Sequence, residues 1–351
     1  MCLGLFCQRG AVDKIPKLKM NNVCVLGSGS WATAIVKILL EHKETHVNWW
    51  VREPEIRQSI CDFGVNYRYL SEAELDRDHL TVYEDINEAV AASELVCMVI
   101  PSAFAAKSLS GLRPELFLGR NWVSATKGLI APDDLTVTQF LAREYHVPQD
   151  CLAVVSGPTH AEEVARKRLS YLTVASKNAD LVACVRSLMG CRYVVTIESE
   201  DVEGIEYATA MKNVYALGLG IAYGMGLGDN MQAVLVTSAI KEMQYFLETL
   251  APLESRCGTD SVYLGDLLVT CYSHHSRNRM FGSMIGQGYS VKAAQLEMNM
   301  VAEGYYAVAS LERLREQSGL KLPLIQAVYE TLYKGLPPQV LMRKVGEILL
   351  Q

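Results

Sequence analysis

Up to about residue 200 the chain alternates short, continuous runs of apolar and β-branched residues with amphipathic stretches. NVCVLG (22–27) leads into TAIVKILLEH, and HVNWWV (46–51), LTVY (80–83), ELVCMVIP (94–101), NWVSATKG (121–128), LAVVSGP (152–158), YLTVAS (171–176) and RYVVTIES (192–199) follow. A strand with one wet face alternates polar and apolar residues; runs that are apolar throughout predict strands covered by helices on both sides. The first half is therefore expected to be an α/β domain built on a mostly parallel, doubly wound sheet. After residue 200 the strand-like runs stop. DVEGIEYATAMKNVYALGLGIAYG, NMQAVLVTSAIKEMQYFLETL, SVYLGDLLVTCYSHH, VKAAQLEMNMVAEGYYAVASLERLREQ and PLIQAVYETLYK all repeat at a helical period. The predicted organisation is a sheet domain over 21–200 and an all-α domain over 201–351. Within the second, the charged segment LERLREQ (311–317) reads as a solvated helix face.

Composition narrows the function. No run of about 18 apolar residues occurs, so no membrane-spanning helix is expected. A formal charge of −6 argues against a nucleic-acid partner, whose phosphates demand a basic footprint. An anionic small substrate stays open, provided the positive charge is local. The 10 cysteines are dispersed without a CxxC pair, which fits reduced thiols in a cytoplasmic chain and neither a disulfide frame nor a zinc site. Residues 1–20 read as a disordered extension, or as an upstream start with Met20 the functional beginning. MCLGLF is too short for a signal segment, and Lys14, Lys17 and Lys19 follow where cleavage would fall.

The first strand runs into Gly27-x-Gly29-x-x-Ala32 and then a helix. In that order the first glycine makes a tight turn, the second lets backbone approach a pyrophosphate, and a small third residue allows close helix–strand packing. Free N–H groups and the dipole at the helix start then hold phosphates. At the end of the second strand Arg52 precedes Glu53. An acid there suits a ribose hydroxyl, whereas an arginine suits a 2′-phosphate, so Arg52 points to NADP(H) or to use of both NADP(H) and NAD(H).

Four further stretches place polar groups in apolar or glycine-rich settings. SATKGL puts Lys127 at the C-terminal end of a sheet strand, where open α/β sheets bind ligands. SGPTHAEE (156–163) marks another strand end. YATAMKNVYALGLG places Lys212 and Asn213 in a run with no other charge between Glu206 and Asp229. An ammonium there either snorkels to water or serves chemistry that needs an amine in a dry place. In LGDLLVTCYSHHSRN, Asp266 and Thr270 stand four apart, on one side of a helix, and Arg277-Asn278 follow. His274-His275 has no partner at metal-ligand spacing, so no metal site is expected.

In the order GSGSWATA, WVR, VIPS, ATKGL, SGPTHAEE, MKNV, GLGDN, LGDLLVTC, SRN, VAEG, the chain resembles the NAD(P)-dependent glycerol-3-phosphate dehydrogenases, from about residue 22 to near the end. The resemblance implies a Rossmann-type N-terminal domain, a helical C-terminal domain and an active site between them. It implies reversible reduction of dihydroxyacetone phosphate to sn-glycerol 3-phosphate, a role in glycerophospholipid synthesis, and a homodimer. On the family pattern Lys212 is the proton donor and acceptor. Lys127 is a second cation touching substrate and cofactor, and Asp266 binds a substrate hydroxyl and tethers Lys212, with Thr270 beside it. Ser276, Arg277, Asn278 and Asn213 would hold the substrate, with Arg277 and Asn278 on its phosphate, while Gly157 and Thr159 line the pocket. Gly27, Gly29, Ser30, Trp31, Arg52, Lys127, Ala161, Arg277, Val301 and Glu303 would meet the cofactor.

The chain departs from that pattern in places. Ala208-Thr209-Ala210 stands where the family has Gly-Gly-Ala, Ser238 where an arginine is common, and Tyr263 where a small residue precedes Leu-Gly-Asp-Leu. Whether Arg256 or another cation compensates for Ser238 stays open at this point. His160 is expected to pack or touch cofactor, and Cys271 to be a buried structural thiol. Two rival readings are a related two-domain hydroxy-acid or ketopantoate-type dehydrogenase and a non-catalytic dinucleotide-binding sensor. The Ser-Arg-Asn segment with Asp266 favours phosphate over carboxylate, and a sensor would need the glycines but not both lysines.

Overall fold

The computed structural model describes residues 18–298 and 302–349. Residues 1–17, most of the expected N-terminal extension, and Val301 lie outside the described residues. The strands are β1 (Asn22–Leu26), β2 (His46–Trp50), β3 (Val65–Asn66), β4 (Leu70–Glu74), β5 (Leu80–Tyr83), β6 (Leu95–Met98), β7 (Asn121–Ser124), β8 (Leu152–Ser156), β9 (Ser170–Ser176) and β10 (Val194–Ser199). Each apolar run of the first half forms one strand of an eight-stranded sheet, in the order β10-β9-β8-β7-β6-β1-β2-β5. All pairs are parallel except β8 with β9. Helices cover both faces, which is why β1, β6 and β8 carry no alternation: residues 23–26, 95–98 and 152–156 are buried without a break. The order reverses between β1 and β6, and the C-terminal ends of strands flanking such a reversal open a crevice for ligands.

The hairpin β3–β4 is absent from the apolar pattern, since two residues of strand carry no periodicity. It has a local task. Asn66 is fully buried and donates from Nδ2 to the Ser28 carbonyl and to Thr33 Oγ1, both at 2.8 Å. The hairpin therefore braces the glycine turn from outside the sheet.

β10 ends at Ser199 and the helix Val202–Gly224 begins three residues later. From Gly204 through Ala222 every residue of this helix is buried, so it has no wet face. It is wrapped by helices Asp229–Leu250, Asp266–Tyr272, Arg277–Gly286, Glu303–Ser318 and Pro323–Tyr333. The closest wrap is glycine-mediated: a Cβ on Gly282 or Gly286 would sit 2.2 Å from the Leu217 or Ile221 carbonyl oxygen. Polar bolts join the two halves. Glu206 on the central helix accepts the Thr138 N–H at 3.2 Å, and Arg313 forks onto buried Asp134. The segment 311–317 is thus not a purely solvated face: Arg313 reaches the sheet domain, and Glu312 is buried and gripped by Arg315 at 2.8 and 2.9 Å. Among the described residues no helix is long and apolar enough to cross a membrane.

One buried acid makes the helical packing pH-dependent. Glu242 accepts the Leu324 and Ile325 N–H groups at 2.8 and 3.1 Å, at the start of helix Pro323–Tyr333, and also the Tyr215 hydroxyl. Burial outweighs these donors and pushes its carboxyl up from 4.5 to about 7. The folded state then holds this proton more tightly than the unfolded chain. The group's contribution is fully present below about pH 4.5 and is lost as pH rises through 7, by about 3 kcal/mol in all. Urea unfolding at pH 5 and pH 8 will show wild type losing about that much more stability than Glu242→Gln; identical pH dependence in the two proteins would refute the assignment.

Candidate active site

The end of β1 makes the first part of the site. Gly27 takes φ +122°, and a Cβ on it would stand 2.9 Å from the Val99 carbonyl oxygen, so only glycine lets the chain turn against the end of β6. Gly29 precedes the helix Ser30–Leu39, and a Cβ there would meet no atom of the described residues within 4 Å. That open space faces a cavity of about 490 Å³ lined by Gly27, Gly29, Ser30, Trp31, Arg52, Glu53, Tyr69, Phe104, Arg277, Glu303, Tyr305 and Tyr306, among others. The buried Trp31 Nε1 has no acceptor among the described residues. An anion-ready helix start, an open glycine and a donor without an acceptor fit a dinucleotide, which Gly29, Trp31 and Arg52 would hold.

Glu53, next to Arg52, also lines the cavity and is held in place there. Ser28 Oγ donates to one of its oxygens at 2.7 Å and Arg52 Nη2 to the other at 3.0 Å. Burial raises its carboxyl, but Ser28, a backbone donor and Arg52 together bring it below its ordinary value, so it is an anion at neutral pH. The Arg52 side chain is 70% exposed at the cavity's edge and shares that corner with a fixed acid. The signal was present in the sequence, one position past the arginine.

Behind the Trp31 and Glu303 wall of the cavity, and not lining it, the sheet and helical domains bring the candidate chemistry together. Lys212 Nζ forms an ion pair with Asp266 Oδ2, and their side chains are 3% and 2% exposed. Thr270 Oγ1 donates to the Asp266 carbonyl at 2.6 Å. Ser156 Oγ, at the end of β8, lies 2.8 Å from Thr209 Oγ1 and 3.4 Å from Asp266 Oδ2. The Ala-Thr-Ala departure therefore adds a hydroxyl behind the acid. Lys127 Nζ stands 5.1 Å from the Trp31 ring centre, linking the cavity to the amines. Burial first, then the Lys212 charge, lowers the Lys127 ammonium from 10.5 to about 8. Glu303 is raised by burial against the pull of Arg277, Lys127 and Lys212. The local charge is thus positive, in a chain whose net charge is −6.

Not every predicted residue has the same place. Ser276 caps the helix Arg277–Gly286 by accepting the Arg279 N–H, and Asn278 Oδ1 accepts the Gly304 N–H at 2.9 Å, next to Glu303. Thr159 donates its hydroxyl to the Tyr171 carbonyl at 2.9 Å, while Gly157 and Asn213 are buried nearby in sequence to Ser156 and Lys212. Ala161 is buried in the sheet domain's core and does not line the cavity. His160 faces the Val269 carbonyl at 3.4 Å; burial, then Lys127 and Lys212, lowers it to about 4, so it is neutral at pH 7. Cys271 is buried, its thiol pushed well up. Sequence reasoning did not single out Tyr305, Tyr306 or Phe104, aromatic members of the cavity wall; the tyrosine pair directly after Glu303-Gly304 was the available sign.

A Rossmann-type sheet with a cavity at its glycine turn, walled on the other side by a helical domain and with Lys127 and Lys212 buried close to Trp31 and Glu303 of that wall, defines a two-domain nicotinamide-dependent dehydrogenase. Profiles of the NAD-dependent glycerol-3-phosphate dehydrogenase N-terminus and C-terminus match residues 22–182 and 201–343, and the chain belongs to that family. It is 36% identical to the glycerol-3-phosphate dehydrogenase [NAD(P)+] of Syntrophomonas wolfei over 90% of this chain and 91% of the relative. It superposes on the crystal structure of glycerol-3-phosphate dehydrogenase from Coxiella burnetii with a TM-score of 0.85 and 28% identity, covering 94% of this chain and 99% of that one. A ketopantoate reductase from Ralstonia eutropha shares the fold alone, at TM-score 0.57 and 15% identity over 92% of this chain and 99% of that one.

Gly29→Val tests the cofactor cradle. The substitution has room in the protein but fills the approach to the pyrophosphate, so NADPH fluorescence titration should give a Kd raised about 10-fold or more, with the melting temperature unchanged. Wild-type affinity would contradict this placement.

Proposed function

We propose that this chain transfers hydride reversibly between NAD(P)H and dihydroxyacetone phosphate, giving sn-glycerol 3-phosphate, with Lys212 as proton donor and acceptor. The observation that carries the reading is the buried Lys212–Asp266 pair with the Lys127 charge nearby, behind the Trp31 and Glu303 wall of the cavity at the glycine turn. A bound reduced nicotinamide supplies the hydride. Reduction of a ketone develops negative charge on its oxygen, and Lys212 Nζ delivers the proton that quenches it. Asp266 holds that ammonium in place from behind. Lys127 adds a second positive charge, which is half lost at about pH 8. Arg277, at the first turn of its helix, offers a planar fork and helix N–H groups to the substrate phosphate.

The division at residue 200 gives a cofactor domain and a substrate-and-dimerisation domain. We place the enzyme in the cytoplasm as a homodimer, supplying glycerol phosphate for glycerophospholipids. The described cysteines, all unpaired, support a reducing compartment. A keto-acid substrate is the weaker reading because Arg277 with the two lysines forms a multiply cationic site suited to a phosphate dianion.

Purified protein should consume NADPH and NADH when dihydroxyacetone phosphate is added, and neither when ketopantoate is. Cofactor binding without turnover would replace the enzyme by a sensor, and turnover with ketopantoate alone would replace the substrate. In the same assay Glu53→Gln removes the anion next to Arg52, and the preference for NADPH over NADH should rise about 10-fold; an unchanged ratio would show that Glu53 does not face the ribose.

A further inference from the structure

Asp201 stands between the last strand and the helix that carries Lys212. Arg256 Nε donates to its Oδ2 at 2.6 Å, and Arg256 Nη2 and the Gly204 N–H donate to its Oδ1 at 2.9 and 3.0 Å. The Tyr263 hydroxyl donates to Oδ2 as well. Arg256 and Asp201 side chains are 6% and 7% exposed, and Tyr263 is buried. Arg256 is therefore committed here and does not stand in for the arginine missing at Ser238, which instead lines a separate cavity with Lys241 and Arg315.

The three side chains come from three segments: the start of the central helix, the loop after helix Asp229–Leu250, and the turn Ser261–Gly265. That turn is wound wide, in the π manner, and continues without a break into the helix headed by Asp266. Such turns are rare and concentrate at functional sites. Asp266 follows Tyr263 by three residues, while Lys212 lies eleven residues beyond Asp201, about 16 Å along the helix. The same two elements pack together through Val262, Leu267 and Cys271 and are tied by polar side chains at two points, Asp201–Tyr263 and Lys212–Asp266. Apolar packing is non-directional, whereas the two polar ties fix the turn's direction.

We propose that Tyr263, gripped by Asp201 beside Arg256, is a positioning residue whose hydroxyl sets the wide turn so that Asp266 meets Lys212. A small residue at this position could not make the contact. The inference rests on the catalytic reading of Lys212 and Asp266.

Tyr263→Phe keeps the ring and removes only the hydroxyl. In the full-length enzyme kcat for dihydroxyacetone phosphate should fall about 10-fold, with KM and NADPH affinity within about twofold of wild type. On an Asp266→Asn background the same substitution should change kcat less than about twofold, because the group it positions is gone. Wild-type kcat in Tyr263→Phe, or an equal loss on both backgrounds, overturns the proposal. Full activity of Asp266→Asn by itself removes the catalytic reading and the proposal with it, whereas an impaired Asp266→Asn beside an unimpaired Tyr263→Phe removes the proposal alone. Should Tyr263→Phe not fold, Arg256→Lys breaks the fork from the other side. The same loss confined to kcat is then expected, and wild-type kcat overturns the proposal.

Discussion

A lysine on a helix with no wet face must be paired, and the Lys212–Asp266 contact is the pairing on which this architecture turns. Removing two charges from water is costly, and their attraction offsets that cost only when the geometry is good and further donors satisfy the acid. Here the acid comes from a different helix, and a sheet-domain serine, Ser156, reaches it. Both charges belong to the helical domain, and Ser156 at the end of β8 joins the pair to the carboxyl ends of the strands. A hydrophobic pair would pack more cheaply, so the ion pair is better understood as chemistry that the fold accommodates than as a device for stability.

The surroundings follow from that constraint. Lys127 and Arg277 add positive charge, Glu303 offsets part of it, and burial lowers Lys127 to about 8. His160 is driven neutral by burial first and then by Lys127 and Lys212, and adds no charge at neutral pH. A chain of net charge −6 thereby concentrates positive potential where a phosphorylated ketone would sit. The cofactor corner balances opposite signs differently, with Arg52 reaching outward and Glu53 fixed by Ser28.

Much of this was legible in the amino-acid order because the physics acts locally. Strands covered on both faces leave unbroken apolar runs, as β1, β6 and β8 did, and the other five members of the large sheet were still legible as short β-branched or apolar segments. The glycine turn and the four-residue spacing of Asp266 and Thr270 are likewise local. What escaped depends on distance in the chain. The hairpin at Val65–Glu74 is too short for a period, and its value lies in Asn66 reaching Ser28. Glu312 and Arg313 look like surface charges until Arg315 and Asp134 are placed beside them. Asp201, Arg256 and Tyr263 are separated by up to 62 residues, and nothing in their spacing announces a cluster. Arg256 and Tyr263 drew notice only as a possible substitute and a departure from family habit, and the structure supplied their partner.

The most direct test of the central claim is turnover of dihydroxyacetone phosphate by Lys212→Ala with NADPH, alongside NADPH binding to the same protein. If Lys212 is the proton donor, kcat falls by about 10³-fold or more while cofactor affinity is kept. A variant that binds NADPH and turns over within about threefold of wild type would contradict the account and return Lys212 to the role of a buried structural charge.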